Sequence, residues 1–207
     1  DVHNGDYRLY GNSPCIDKGH NDYNSESTDI RGENRVQNDT IDMGAYEWTQ
    51  GIDPEPVIHY VNINVTGGNN DGTDWANAYT SLQDALTAAH NGDTLWIARG
   101  TYKPSSSYNL PDSSRYYHFE MKEGLKIYGG FAGDENPATF NLSNRDFIAN
   151  ETILSGDIGI EGDSSDNCYH VFYHPDAFGL TNTAILNGFS IKWGYTLTTD
   201  GSFGNNK

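Results

Sequence analysis

Short apolar segments recur along the second half of this chain, each closed by glycine or a polar turn. They are LWIARGTY from 95, LKIYGGFAG from 125, TILSGDIG from 152, HVFYHP from 170 and AILNGFSIKWG from 184. Runs this short, rich in β-branched and aromatic residues and bounded by glycine and asparagine, predict strands. The wider intervals between their starts fall in the roughly 20-to-30-residue range in which repeated structural units are suspected. Between them lie the polar stretches KPSSSYNLPDSSRYYH and GDENPATFNLSNRD. Loops of that length argue against an ordinary compact domain. A solenoid tolerates them, because each coil needs only its neighbours. A β-sandwich shares the same signals and is the competing architecture.

One helix is predicted, in TSLQDALTAAHNGDTLWIARGTYKP, residues 80 to 104. Thr80 and Gln83 have the spacing of a capping box. Leu82, Ala85, Leu86 and Ala89 follow at i, i+3, i+4 and i+7, which is one apolar helical face. Asn91-Gly92 supplies a left-handed stop, and TLWIARGTY beyond it is a strand.

Composition narrows the possible partners. The 207 residues carry 29 acidic against 12 basic side chains, a net charge of −17, which repels nucleic acid and anionic membrane surfaces. Hydrophobic residues make up only 35% of the chain, yet 13% is aromatic, too much for a disordered segment. The chain reads as a folded, loop-rich β protein. No apolar run reaches transmembrane length, so membrane insertion by this segment is not expected. Cys15 and Cys168 lie far apart and do not make a disulfide scaffold.

Taken together, GGNNDGTDWANAYTSLQDAL, GDTLWIARGTYKP, LKIYGGFAGDE, ETILSGDI, DNCYHV and LNGFSIKWG resemble the opening coils of right-handed parallel β-helix proteins. These belong to the pectin-lyase-like superfamily and occur in large secreted proteins of Bacteroidetes and related bacteria. YGNSPCIDKG, DIRGENR and IDMGAYEW are similar to the closing segment of such proteins. The resemblance implies an all-β fold, a right-handed parallel β-helix (solenoid) with a short N-terminal capping α-helix at about 81–91. It also implies a division into residues 1–50, closing one β-helix unit; 51–57, a linker; and 58–207, the capping helix and first coils of a second unit. Secretion to the extracellular space or bacterial cell surface is the implied localisation, with any signal peptide or sorting domain outside this segment.

Two loops are candidate calcium sites, because calcium favours several hard oxygen ligands on an irregular loop. GDIGIEGDSSDN concentrates Asp157, Glu161, Asp163, Asp166 and Asn167, and NNDGTD holds Asp71 and Asp74. Neither fits the EF-hand pattern. The alternative is that these residues simply make turns. Tyr108, Tyr116, Tyr117, Trp193 and Tyr195 are candidates for stacking on sugars. No catalytic constellation is recognisable. The acids form no singled-out pair for glycoside hydrolysis, and nothing places Arg99, Arg115, Lys126 or Arg145 beside the acidic loop. YGGFAGDE reads as a tight turn rather than a phosphate cradle.

The expected function is structural: a stalk, adhesin or filament segment, with contact to a polysaccharide or cell-surface glycan and calcium as the one expected ion. Head-to-tail self-association would follow from pairing a start-type end with a closing-type end. The alternatives are a fragment of a β-helix polysaccharide lyase or glycoside hydrolase, and a non-catalytic carbohydrate-binding module.

Overall fold

The computed structural model describes residues 8, 9, 11, 13–49, 56–108, 113–174 and 179–195. The expected linker at 51–57 therefore lies outside the described residues except for Pro56 and Val57. The chain divides into two compact units, Asp1–Glu55 and Pro56–Lys207.

In the first unit, carboxylates do the work that strands do elsewhere. Among its described residues the regular structure is one short 3-10 turn, Asn21–Tyr23, and two isolated antiparallel bridges, Thr28 with Asn34 and Gln37 with Thr40. Asp29, Asp42 and Glu47 are buried beside Ile41. Asp29 accepts from the N–H groups of Arg31, Glu33 and Glu47 and from the Arg31 guanidinium. Glu47 accepts from the Asp42 N–H and from Arg35, whose guanidinium also reaches the Gly44 carbonyl. Burial works against the Asp29 charge, but the bonds from Glu47, Glu33 and Arg31 hold its carboxyl below the usual carboxylate range. For Glu47 burial prevails and pushes its carboxyl up.

The second unit contains strands β1 (Ile58–Val61), β2 (Thr94–Ala98), β3 (Gly100–Tyr102), β4 (Lys126–Phe131), β5 (Thr152–Ser155), β6 (Ile185–Asn187) and β7 (Ser190–Lys192). Helix α1 spans Leu82–Ala88. Two parallel sheets result, ordered β1-β2-β4-β6 and β3-β5-β7. Register aligns like residues across strands: Leu95, Ile127 and Leu186 form one column, and Tyr102, Leu154 and Ile191 another. At β1, β2 and β4 the four-stranded sheet is covered on both faces. Val61, Leu95, Ile97 and Ile127 face the main core with Phe119, Leu125 and Leu154. Tyr60, Trp96 and Phe131 face an aromatic cluster with Trp75 and Phe140, in which Trp96 and Phe131 stack at 4.6 Å. Burial on both faces is the normal condition of parallel strands.

These observations correct the expected fold class. The described residues form two small parallel sheets of four and three strands packed with an α-helix, a small α/β arrangement, not an all-β right-handed parallel β-helix. The physical reason is clearest at α1, which is a layer of the core and not a terminal cap. It buries Leu82, Gln83, Ala85 and Leu86. The segment from 170 also fails to become a strand; it contributes only the isolated bridge of Phe172 to Phe119.

The helix is shorter than 81–91, and its start differs from the expected one. Ser81 is the N-cap, accepting from the Asp84 N–H at 3.2 Å. Thr80 instead donates to Asn70, and Gln83 donates to the Tyr108 hydroxyl. At the other end Lys122 donates to the carbonyls of Thr87 and Ala89, satisfying groups that a helix terminus leaves open. Ser81→Ala is expected to lower stability by about 1 kcal/mol in chemical denaturation. Thr80→Ala, measured alongside, should cost no helix cap.

Candidate functional site

The acidic loop at 157–167 is closed at its neck by main-chain bonds. Cys168 donates to the Gly156 carbonyl and Gly156 to the Lys192 carbonyl, each at 2.9 Å. Only glycine fits at 156, since an added Cβ would collide with the Trp193 carbonyl oxygen and the Cys168 sulfur. Asp157 and Asn167 are the residues next to this neck, one following Gly156 and the other preceding Cys168. Asp166 folds back over Gly159, and its Oδ2 accepts from the Ile160 N–H at 2.8 Å. Asp157 Oδ2 accepts from the Gly162 N–H at 3.1 Å.

The second oxygen of each acid is different. Asp157 Oδ1, Asp166 Oδ1 and the Asn167 side-chain oxygen are buried with no hydrogen-bond partner. Asp157 and Asn167 are 8% and 4% exposed, so water does not reach them freely. Buried oxygens are normally paired, and unpaired ones are costly. Glu161 and Asp163 lie exposed on the outer part of the loop. Asp163 accepts from Ser165, whose side-chain and main-chain bonds hold the carboxyl below its ordinary value.

The second acidic loop is built differently. Asp71 Oδ1 accepts from both the N–H and the hydroxyl of Thr73, and Asp74 Oδ1 from the N–H and side-chain amide of Asn77. These oxygens make turns. Among the described residues, no group of three or more His, Cys, Asp and Glu side chains is placed to hold a metal ion. Any cation here must draw on amide and main-chain oxygens as well.

The sugar-stacking candidates fall into two places. Tyr116, with its ring edge-on to Tyr169 at 5.2 Å, adjoins the acidic loop. Arg115 ties the group together: it lies over the Tyr169 ring at 4.3 Å and donates to the carbonyls of Asn167 and Tyr195. Trp193, 52% exposed, follows β7 on the way to Tyr195. Tyr108 sits apart, against His118 and bonded to Gln83, and burial pushes its hydroxyl up to about 12. Tyr117 is half-buried behind the 3-10 turn Ser114–Tyr116. Sequence reasoning missed Tyr169 and left Arg115 unplaced. Tyr169 follows the loop directly, whereas Arg115 reaches it from 52 positions away, held by its bond to the Asn167 carbonyl and by the Tyr169 N–H, which donates to the Arg115 carbonyl.

Other polar features are already spoken for. The YGGFAGDE turn does not present its N–H groups to a ligand: Glu135 accepts from Ala132, Gly133 and Asp134. Arg145 lies 5.0 Å from both the Tyr128 and Phe147 rings and donates to Gly129 and Asn187. Both cysteines are free thiols, and burial pushes Cys168 up to about 11. Among the described residues no helix is long and apolar enough to cross a membrane. No protein-family model, no curated protein and no solved structure matches this chain.

Proposed function

We propose that this chain is a structural segment of a secreted or cell-surface protein, built to be joined through one end of its paired sheets. The supporting observation is how the core columns end. Leu95 and Ile127 are fully buried, but Leu186 in the same column is 36% exposed; Tyr102 and Leu154 are buried, but Ile191 is 53% exposed. The opposite edge of the four-stranded sheet, at β1, is closed. Tyr60 and Asn62 donate to the carbonyls of Gly72 and Tyr79, while α1 packs beside β1. Among the described residues no further strand pairs with β6 or β7, and exposed aliphatics on such edges are surfaces that proteins ordinarily cover.

A second copy is the occupant. Because the β1 edge is covered, two copies meet through their β6/β7 ends about a two-fold axis, an arrangement that closes as a dimer and does not propagate. Head-to-tail stacking would need the β1 edge free. The charge of −17 on each chain opposes the contact, so added salt should strengthen it.

Sedimentation of the whole chain at increasing concentration is expected to show a monomer–dimer equilibrium, tighter at high salt. Leu186→Lys with Ile191→Lys should leave a monomer with an unchanged circular dichroism spectrum. A chain that stays monomeric at every concentration, or that forms open-ended polymers, overturns the proposal.

Contact with a glycan is a second reading, favoured by the Tyr116–Tyr169–Arg115 group, since aromatic faces and a guanidinium together suit sugar recognition. Arg115 also stands where a lyase would want a cation beside an acidic loop. Its donors are directed at two main-chain carbonyls, which favours a pinning role.

A further inference from the structure

We infer that the neck of the 157–167 loop is a calcium site, with Asp157, Asp166 and Asn167 as its side-chain ligands. The inference is independent of the dimer proposed above. It rests on two observations that are separate from the acidity of the loop. First, each of these residues keeps one oxygen, Oδ1, buried and without a hydrogen-bond donor. Second, the partner oxygens of Asp157 and Asp166 are fixed by the N–H groups of Gly162 and Ile160. Each carboxylate is thereby held in place by one oxygen while the other is left over. A hard divalent cation is the ligand that three buried oxygens without donors on one short loop suit, two of them belonging to carboxylates.

The donor set favours calcium over magnesium. It is mixed, two carboxylates and an amide carbonyl, on an irregular loop, and it leaves the remaining positions to main-chain carbonyls and water. Calcium accepts six to eight such ligands in loose geometry, whereas magnesium demands a near-ideal octahedron and keeps its own water. Transition metals would look for imidazole or thiolate. The Cys168 sulfur beside the neck is engaged with the His170 carbonyl.

The site has a structural consequence. The neck is continuous with β5 through Ser155 and with β7 through the Gly156 bond to Lys192, and Arg115 joins it to Tyr195. A cation there locks the exposed end of the three-stranded sheet to the loop above it. Glu161 and Asp163 contribute to the field around the site but not to its first ligands. Asp71 and Asp74 are not part of it.

The test uses the whole chain freed of divalent ions with a chelator. Terbium, whose luminescence nearby tyrosines such as Tyr169 and Tyr195 can sensitise, is added first, and calcium or magnesium is then used to displace it. One equivalent of terbium is expected to bind, calcium to displace it at a concentration at least tenfold below magnesium, and calcium to raise the thermal midpoint. Asp157→Asn with Asp166→Asn should abolish both signals, while Asp71→Asn with Asp74→Asn leaves them intact. Asn167→Asp, nearly isosteric, adds a charge to the ligand set and should tighten terbium binding about tenfold, which a merely folded or unfolded state would not do. Absence of binding, binding that survives the 157/166 replacement, or an Asn167→Asp variant with unaltered affinity overturns the assignment.

Discussion

Asp93→Ala is expected to be the most damaging single replacement in the Pro56–Lys207 unit, costing about 3–5 kcal/mol. Asp93 is 1% exposed and lies in the turn between α1 and β2. Its Oδ1 accepts from the Val57 N–H at 3.0 Å; its Oδ2 accepts from the His90 N–H at 2.8 Å and meets His59 Nε2 at 3.1 Å. The carboxylate therefore pins the start of β1 to the start of β2. Truncation would strand the buried His59 imidazole and take a shared acceptor from the Val57 and His90 N–H groups. That is a larger loss than the missing charge itself, because an unpaired buried donor keeps its full desolvation cost. Chemical denaturation should show a lowered midpoint at unchanged slope. Asp93→Asn keeps one acceptor oxygen and should cost visibly less.

The pH dependence of this contribution has a definite sign. Burial opposes the Asp93 charge, but bonds from His59, His90 and Val57 outweigh it and hold the carboxyl far below its ordinary value. A carboxylate depressed in the folded state stabilises fully above its unfolded value, about 3.9, and progressively less below it. The gap between the native chain and Asp93→Asn should be constant near neutrality and shrink as pH falls below about 4. A gap that stays constant through that range would show that the charge is not what matters.

Much of this second unit was legible in short-range patterns. The segments from 95, 125, 152 and 184 are strands, and the apolar face of Leu82, Ala85 and Leu86 is a buried helix face. What was not legible depends on partners distant in the chain. The segment from 170 has the composition of a strand but meets only Phe119, so no ladder forms. Thr80 and Ser81 both precede a helix by composition. Asn70, ten residues away, binds Thr80 and leaves Ser81 to cap. The largest error concerned architecture: local segments named the strands, but not that α1 would be a core layer among two small parallel sheets. At the candidate site, the acids of 157–167 were visible as a cluster. Which oxygens lack donors was not, because that is decided by the N–H groups of Ile160 and Gly162. No local pattern singles out Asp93, which simply follows Asn91-Gly92.

Arg35→Met should have a comparable effect on the Asp1–Glu55 unit, with the opposite response to pH. Arg35 pairs with Glu47, whose side chain is 1% exposed, and breaking such a buried pair typically costs about 3–5 kcal/mol. The unit has little else to draw on: Ile41 is the one buried hydrophobic residue among its described positions. At neutral pH it is expected to become open to proteolysis between 13 and 49 while the second unit stays protected. Glu47 differs from Asp93 in that burial already raises its carboxyl, against the pull of the Asp42 N–H and the Arg35 charge. A carboxyl raised in the folded state favours folding when protonated and loses that advantage as pH rises through the folded value. Without Arg35 the value should climb further. The variant would then regain resistance as pH falls, and by more than the native unit does, because its Glu47 carboxyl is raised further. Adding Glu47→Gln to Arg35→Met removes the charge altogether and should restore part of the stability at neutral pH. If the double variant is instead no better than Arg35→Met, the cost lies in the lost bond to the Gly44 carbonyl and not in an unpaired Glu47.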